Sequence, residues 1–378
     1  MNDNQFPNGK DPQFFNKGVD RRDFLKNSTK VAGAALGLSM LESLIGIPVE
    51  AASTDAMDTY DPRKGSDDQP AMVFAVISDT HIFNKPHVHD RKLANALQDF
   101  NAIAPRSSAL VVNGDITDRG FESEYAHFQE ILDQNPHPRK MIFSMGNHEF
   151  YKAKWVNENT LQQNTWPNGD TEQAAYNRFF QFAHVDKPYY EKMVDGYPFI
   201  VFGTEKHMHY KWSYLWDEQY ISVDQFDWLR RTLAKHKHSK KPIFMFTHHP
   251  IPNTVSRTDK GAYFVEYLQA DDIVEILKDY PQVILFTGHS HQDLKNQDWA
   301  VTKTAPGANK GFTVVNTSSV GNVWTSDAQG AEVLVGPDES QGIFLEVYKR
   351  KVVIKGRDFF RKQWIQEFSV DLSKKGLF

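Results

Sequence analysis

Three features of the 378-residue sequence predict an α/β fold. Five short apolar runs each end in a cluster of Asp, Asn or His, amphipathic stretches lie between them, and the last third changes to strand-like runs joined by tight turns. Strands alternating with helices argue for sheets covered by helices. The later change of pattern favours a mixed sheet, or two sheets packed face to face, over one parallel sheet.

The first fifty residues read as an address. Arg21-Arg22-Asp23-Phe24-Leu25-Lys26 precedes an uncharged apolar run over 31–41, and Glu42 separates this from a second apolar stretch. Small residues around Val49-Glu50-Ala51 place signal-peptidase cleavage after Ala51. The twin arginine followed by Phe-Leu-Lys resembles a twin-arginine (Tat) export signal, which implies the Tat machinery as a partner and a periplasmic, cell-wall-associated or extracellular location. The apolar run is too short to span a bilayer comfortably, so no stable span is expected in the mature chain; an uncleaved signal kept as an anchor is the alternative. Residues 52–70, with Pro62, Gly65 and Asp67-Asp68, read as a polar linker, and 71–378 as the main domain.

Within that domain, 71–78 (AMVFAVIS) is short, continuous and rich in β-branched residues, as a buried strand is, and it leads into Asp79-Thr80-His81. Four more such runs follow. Residues 109–113 lead into Gly114-Asp115, 140–144 into Gly146-Asn147-His148-Glu149, 242–247 into His248-His249 and 283–287 into Gly288-His289-Ser290-His291. Ser222 and Gln225 have capping-box spacing ahead of Phe226, Leu229 and Leu233 on one helical face, and 271–280 reads as a helix ended by Pro281. Residues 312–316, 342–348 and 352–358 are strand-like, as in a meander. Residues 150–196 show no such run and are expected to form a mostly helical insertion near the site.

Bulk composition excludes several classes. There are no cysteines, so disulfides, thiolate metal sites and a lipid anchor on an N-terminal cysteine are ruled out. The net charge of −5 gives no support for a nucleic-acid binder, and removal of 1–51 leaves it unchanged, since that segment carries six basic and six acidic residues.

The strand-end clusters carry the chemistry. Asp79, His81, Asp115, Asn147, His248, His289 and His291 can each bind a metal, and ligand sites collect at the carboxyl ends of strands in open α/β sheets. Seven ligands are too many for one tetrahedral ion. They suit two ions sharing a carboxylate, about 3.5–4 Å apart, a recurrent solution for phosphoryl chemistry.

The ordered set Asp79-x-His81, Gly114-Asp115-x-x-Asp118, Gly146-Asn147-His148-Glu149, His248 and Gly288-His289-x-His291 resembles the calcineurin-like metallophosphoesterase superfamily. That resemblance implies a sandwich of two mixed β-sheets flanked by helices, with a dimetal site at the strand ends. It implies that Asp79, His81, Asp115 and His291 hold a first metal, and that Asp115 bridges to a second held by Asn147, His248 and His289. It further implies a metal-bridging hydroxide that attacks phosphorus in line, with His148 touching the phosphate and helping to protonate the leaving oxygen. The donor set is compatible with Mn, Fe, Zn, Co or Ni.

Subfamily signals diverge. The iron-binding Tyr of purple acid phosphatases is replaced by Asp118, so a purple iron–tyrosinate site is not expected. Asp118-Arg119-Gly120 is similar to the protein serine/threonine phosphatase branch, where the matching arginine grips phosphate, which makes Arg119 a candidate phosphate contact. The Gly288–His291 block looks like the cyclic-nucleotide and glycerophosphodiester phosphodiesterase branches. Asp118, Glu149 and His249 are expected to support the ligands without binding metal. His87, His89, His207 and His209 are expected on exposed loops and His236 and His238 on solvated surface, with Tyr210, Trp212, Tyr214 and Trp216 packing a long loop.

The expected activity is hydrolysis of a small-molecule phosphomonoester or phosphodiester. A catalytically inactive, metal-stabilised cell-envelope binding protein and a nuclease of the same fold are the alternatives.

Overall fold

The structure is a computed structural model that describes residues 69–206, 217–259, 262–327 and 331–377. The export signal expected over 1–51, most of the linker, His207, His209 and the cluster from Tyr210 to Trp216 lie outside the described residues.

The element order is β1 (Met72–Ile77), α1 (Val88–Ile103), β2 (Ala109–Asn113), α2 (Glu122–Asp133), β3 (Met141–Ser144), β4 (Trp155–Asn157), β5 (Thr160–Leu161), α3 (Glu172–Ala183), β6 (Tyr190–Val194) and β7 (Tyr197–Val201). Then come α4 (Val223–His236), β8 (Ile243–Phe246), α5 (Ala262–Val265), α6 (Ala270–Leu277), β9 (Val283–Thr287), β10 (Ala300–Lys303), β11 (Phe312–Asn316), β12 (Trp324–Ser326), β13 (Glu332–Leu334), β14 (Gln341–Val347), β15 (Lys351–Asp358) and β16 (Gln363–Asp371).

Two six-stranded sheets result. The first runs β16-β15-β14-β1-β2-β3 and the second β10-β11-β9-β8-β7-β6. In the first, β1, β2 and β3 are parallel while the β14–β15–β16 meander is antiparallel. In the second, the parallel strands β11, β9, β8 and β7 are closed by antiparallel edges β10 and β6.

Alternation along the strands explains the layering. Phe74 and Val76 of β1 share a buried cluster with Phe199, Phe244, Phe246 and Phe286 of the second sheet, so the inner faces meet. Phe74 lies 4.8 Å from both Phe199 and Phe244, ring centre to ring centre. Ala75 and Ile77 point the other way, toward Leu93, Leu97 and Phe128 of α1 and α2. On the far side, Met245 and Leu285 pack on Phe226, Leu229 and Leu233 of α4 and Ile273 and Leu277 of α6. Strands buried on both faces need the continuous apolar runs seen in the sequence.

Three expectations are corrected. Residues 150–196 are not mostly helical: α3 is there, but so are the β4–β5 hairpin and the edge strand β6. The run at 312–316 is not part of a C-terminal meander; it is β11 and pairs in parallel with β9 in the other sheet. The 271–280 helix starts one residue earlier and stops at Leu277, four residues before Pro281. Among the described residues no helix is long and apolar enough to cross a membrane.

Candidate dimetal centre

The parallel strands of both sheets end on one edge of the sandwich, and a buried asparagine joins them there. Asn113, the last residue of β2, donates from Nδ2 to the carbonyls of Thr247 (2.9 Å) and Phe286 (3.2 Å) across the sheet interface. Its own Oδ1 accepts from Ser144. The loops that follow therefore open into a common space.

Those loops are sharply turned. Asp79, His81, Asp115, His289 and His291 all adopt positive φ, between 44° and 66°, a region non-glycine residues rarely enter. Such backbone costs of order 1–3 kcal/mol per residue and clusters at functional sites. Gly114 (φ 84°) is required for a second reason, because a Cβ there would overlap the His248 ring.

The first group of candidate ligands is Asp79, His81, Asp115 and His291, which converge closely enough to hold one ion. His291 Nε2 is 3.0 Å from Asp79 Oδ1 and 3.1 Å from His81 Nε2. The second group is Asp115, His248 and His289, with Asn147 beside them at the end of β3. Asp115 belongs to both groups. Its Oδ1 accepts the His148 N–H (3.0 Å), while Oδ2 faces His248 Nε2 (3.1 Å), His81 Nε2 (3.8 Å) and His148 Nε2 (3.9 Å).

Outer partners fix the rings. His248 Nδ1 donates to the Asn113 carbonyl (2.9 Å) and His291 Nδ1 to that of Asn322 (2.8 Å), which leaves each Nε2 directed inward. His289 Nε2 is bound by Glu266 (2.8 Å). The Glu149 carboxylate accepts the backbone N–H groups of Asp115, Ile116, Thr117 and Gly146, tying the second and third motif loops together.

The centre demands positive charge. Burial works against charging Asp115, yet His248, His148 and His81 hold its carboxyl well below the usual range. Burial likewise opposes protonation of His248 and His81, but the facing carboxylates push them up, to about 10 and about 9. The buried candidate ligand atom Asn147 Oδ1 has no hydrogen-bond partner, and buried His248 Nε2 faces the carboxylates of Asp115 (3.1 Å) and Asp79 (3.8 Å). An unsatisfied buried acceptor is costly, and a cation between these atoms satisfies it. The residues present therefore fit a pair of metal ions.

Around the centre lies a cavity of about 400 Å³, lined among others by His81, Asp115, Asn147, His148, His289 and His291. His148 Nδ1 donates to the Asp118 carbonyl (2.6 Å), which leaves Nε2 toward the cavity, and burial pushes its pKa down to about 4. Sequence reasoning missed further lining residues, among them Tyr151, Asp217, Glu266 and Arg257. None belongs to a motif; Tyr151 follows the third one at helical spacing from Asn147, while Asp217, Glu266 and Arg257 have no such link.

Arg119 is not at the cavity, contrary to its expected phosphate contact. Its Nε binds Glu124 (2.6 Å), while its two terminal nitrogens bind the Glu158 carbonyl (2.5 Å) and Asn84 Oδ1 (2.7 Å). It is 6% exposed, Glu124 is fully buried, and the pair anchors α2 and the β4–β5 hairpin. His89 is likewise no loop residue: it is buried in α1, with Nδ1 on the His81 carbonyl (2.9 Å), and His87 caps that helix. His249 is buried beside His248, its Nε2 on the Asp217 carbonyl. His236 is half-buried on Glu191, whereas His238 is exposed.

Comparison with known proteins agrees with this geometry. Residues 72–293 match the model of the calcineurin-like phosphoesterase family, and 294–377 match a domain of unknown function, DUF4073. The second stretch is no separate body, for its strands complete both sheets. A probable glycerophosphodiester phosphodiesterase GpdQ of Arcobacter nitrofigilis is 26% identical over 232 residues, 58% of this chain and 72% of that protein. Among solved structures, a dimetal phosphatase from Danio rerio aligns with a TM-score of 0.56 at 14% identity, covering 80% of this chain and all of the other. The purple acid phosphatase PPD1 of Lupinus luteus aligns at 0.53 and 14% identity, over 79% of this chain and 53% of its own. Both structures share the fold of two packed sheets with helices. With the family model spanning more than half of its length, the chain belongs to the calcineurin-like phosphoesterase family and is a metal-dependent hydrolase of phosphate esters.

Proposed function

We propose that the protein cleaves a phosphodiester carrying a small polar alcohol, with one ion held by Asp79, His81, Asp115 and His291 and a second by Asp115, Asn147, His248 and His289. The reading is carried by the gathering of Asp79, His81, Asp115, His248, His289 and His291 into two clusters that share Asp115, beside a cavity that Asn147 also lines. Metal ions so bound supply Lewis acidity and lower the pKa of water to yield a nucleophile. The relative named as a glycerophosphodiester phosphodiesterase supports the diester, and the polar walls of a cavity of about 400 Å³ suit a small leaving group. Asp118, Asp217, Glu266 and Glu332 on those walls disfavour a polyanion, which argues against a nuclease. The twin-arginine motif supports export by the Tat route before the enzyme acts.

The chain's own contribution centres on His148. Its resting ring is neutral with the proton on Nδ1, so Nε2 must gain a proton before giving one to the leaving oxygen. An anionic phosphate beside Nε2 raises its proton affinity, and substrate binding thereby charges the acid. Metal analysis of the purified protein, with assays on alkyl and nitrophenyl mono- and diesters, tests this. His148→Ala should lower kcat on alkyl esters by about 10²–10⁴-fold, and far less on nitrophenyl esters, whose leaving group needs no proton. Equal losses on both would remove the acid role.

A further inference from the structure

We propose that Tyr151 and Asp217 act as positioning residues that decide which end of the Asn147 amide faces the second metal position; this rests on the reading of Asn147 as a ligand there. An amide oxygen binds a metal and the NH₂ group does not, yet the two ends are nearly the same size. Something must choose between them. At β3 the choice is made by a directed chain of hydrogen bonds.

Tyr151 Oη is 2.6 Å from Asp217 Oδ1 and 2.9 Å from Asn147 Nδ2. A phenol carries a single proton, and an ionised carboxylate has none to offer. Asp217 therefore accepts the Tyr151 O–H, so toward Asn147 the phenol oxygen can only accept. Asn147 must show it the NH₂ group, and Oδ1 is left buried and unpartnered on a residue that lines the cavity. The order is Asn147 to Tyr151 to Asp217, and it does not run backwards.

Two contacts stiffen this chain. The Tyr151 ring lies against His148, with centroids 4.0 Å apart, so one residue steadies a ligand and the proton-handling ring. The Asp217 carbonyl accepts from His249 Nε2, and the His249 ring lies 4.2 Å from that of His289, another ligand of the same position.

The test is Mn²⁺ titration of the metal-free full-length protein by calorimetry, with the electron paramagnetic resonance of the spin-coupled pair as a second readout. Tyr151→Phe keeps the ring on His148 and removes the hydroxyl. Asp217→Asn keeps the shape but can donate to the phenol, freeing the phenolic proton to bond Asn147 Oδ1 and draw it from the metal. Each should weaken the second Mn²⁺ equivalent by about 10–100-fold, leave the first unchanged and diminish the coupled signal. An Asn147→Asp background provides the control, because a carboxylate has two equivalent oxygens and needs no orienting. There Tyr151→Phe should change the second affinity by less than about threefold. An undiminished second equivalent in Tyr151→Phe, or an equal loss with and without Asn147→Asp, overturns the relay. Unaltered binding of both equivalents in Asn147→Ala would instead overturn the ligand assignment beneath it.

Discussion

The two proposed metal positions are built by different means. At the first, Asp79, His81, Asp115 and His291 all sit on left-handed backbone, so the main chain itself aims the ligands. At the second, Asn147 has an ordinary φ of −77°, and its amide, like the His248 ring, is aimed by side-chain bonds to Tyr151 and to the Asn113 carbonyl. The buried Asn147 Oδ1, which has no partner, belongs to this second position. The first position thus draws every ligand from left-handed backbone, whereas the second shares it only at Asp115 and His289 and relies on neighbouring groups to aim Asn147 and His248. Affinity at the second is therefore open to adjustment without moving the strands.

Asp115 is where the contrast should vanish, because its carboxylate serves both positions. Asp115→Asn should lower kcat/KM by about 10³-fold or more, a barrier change of roughly 4 kcal/mol, with both metals weakened. Activity within tenfold of the parent would end the shared-carboxylate reading. Arg119 lies outside both positions, so Arg119→Ala should cost about 3 kcal/mol of stability by leaving Glu124 buried alone, while KM stays fixed. A tenfold rise in KM at unchanged stability would restore its role as a phosphate clamp.

Chelation should sharpen the comparison further. Graded removal of metal should empty the second position first, giving two separate losses of thermal stability, each about 2.7 kcal/mol when the ion stands at 100 times its Kd. Loss of both ions in one step would show that the positions are not independent. The smallest effect is expected from Gly114→Ala. Its new Cβ meets the His248 ring and φ is 84°, so a stability loss of about 1–2 kcal/mol should accompany weakening of the second ion alone.

The same division governs what the sequence revealed. The five motif blocks were legible because each follows an apolar strand that must be buried on both faces, and 109–113, 283–287 and 312–316 match β2, β9 and β11 residue for residue. Strands with mixed signals escaped. Pro198 interrupts β7, and β16 (QWIQEFSVD) is a half-exposed edge whose polar residues face water. At the site, ligands aimed by backbone announce themselves through glycine and short spacing. Asp217 and Glu266 meet the site through three-dimensional proximity, which no spacing along the chain encodes, whereas Tyr151 sits four residues after Asn147 on the same turn. Arg119 was misread for the matching reason: a turn beside a motif gives no hint that the guanidinium faces inward to Glu124 and Glu158.

The left-handed backbone at Asp79, His81, Asp115, His289 and His291 also constrains how this lineage can change. Holding metal accounts for Asp and His side chains where glycine would carry no strain. A descendant that ceased to hydrolyse anything would be freed from that burden at once. Its lapse would be written as glycine or asparagine at these five positions, long before the sheets beneath them had altered.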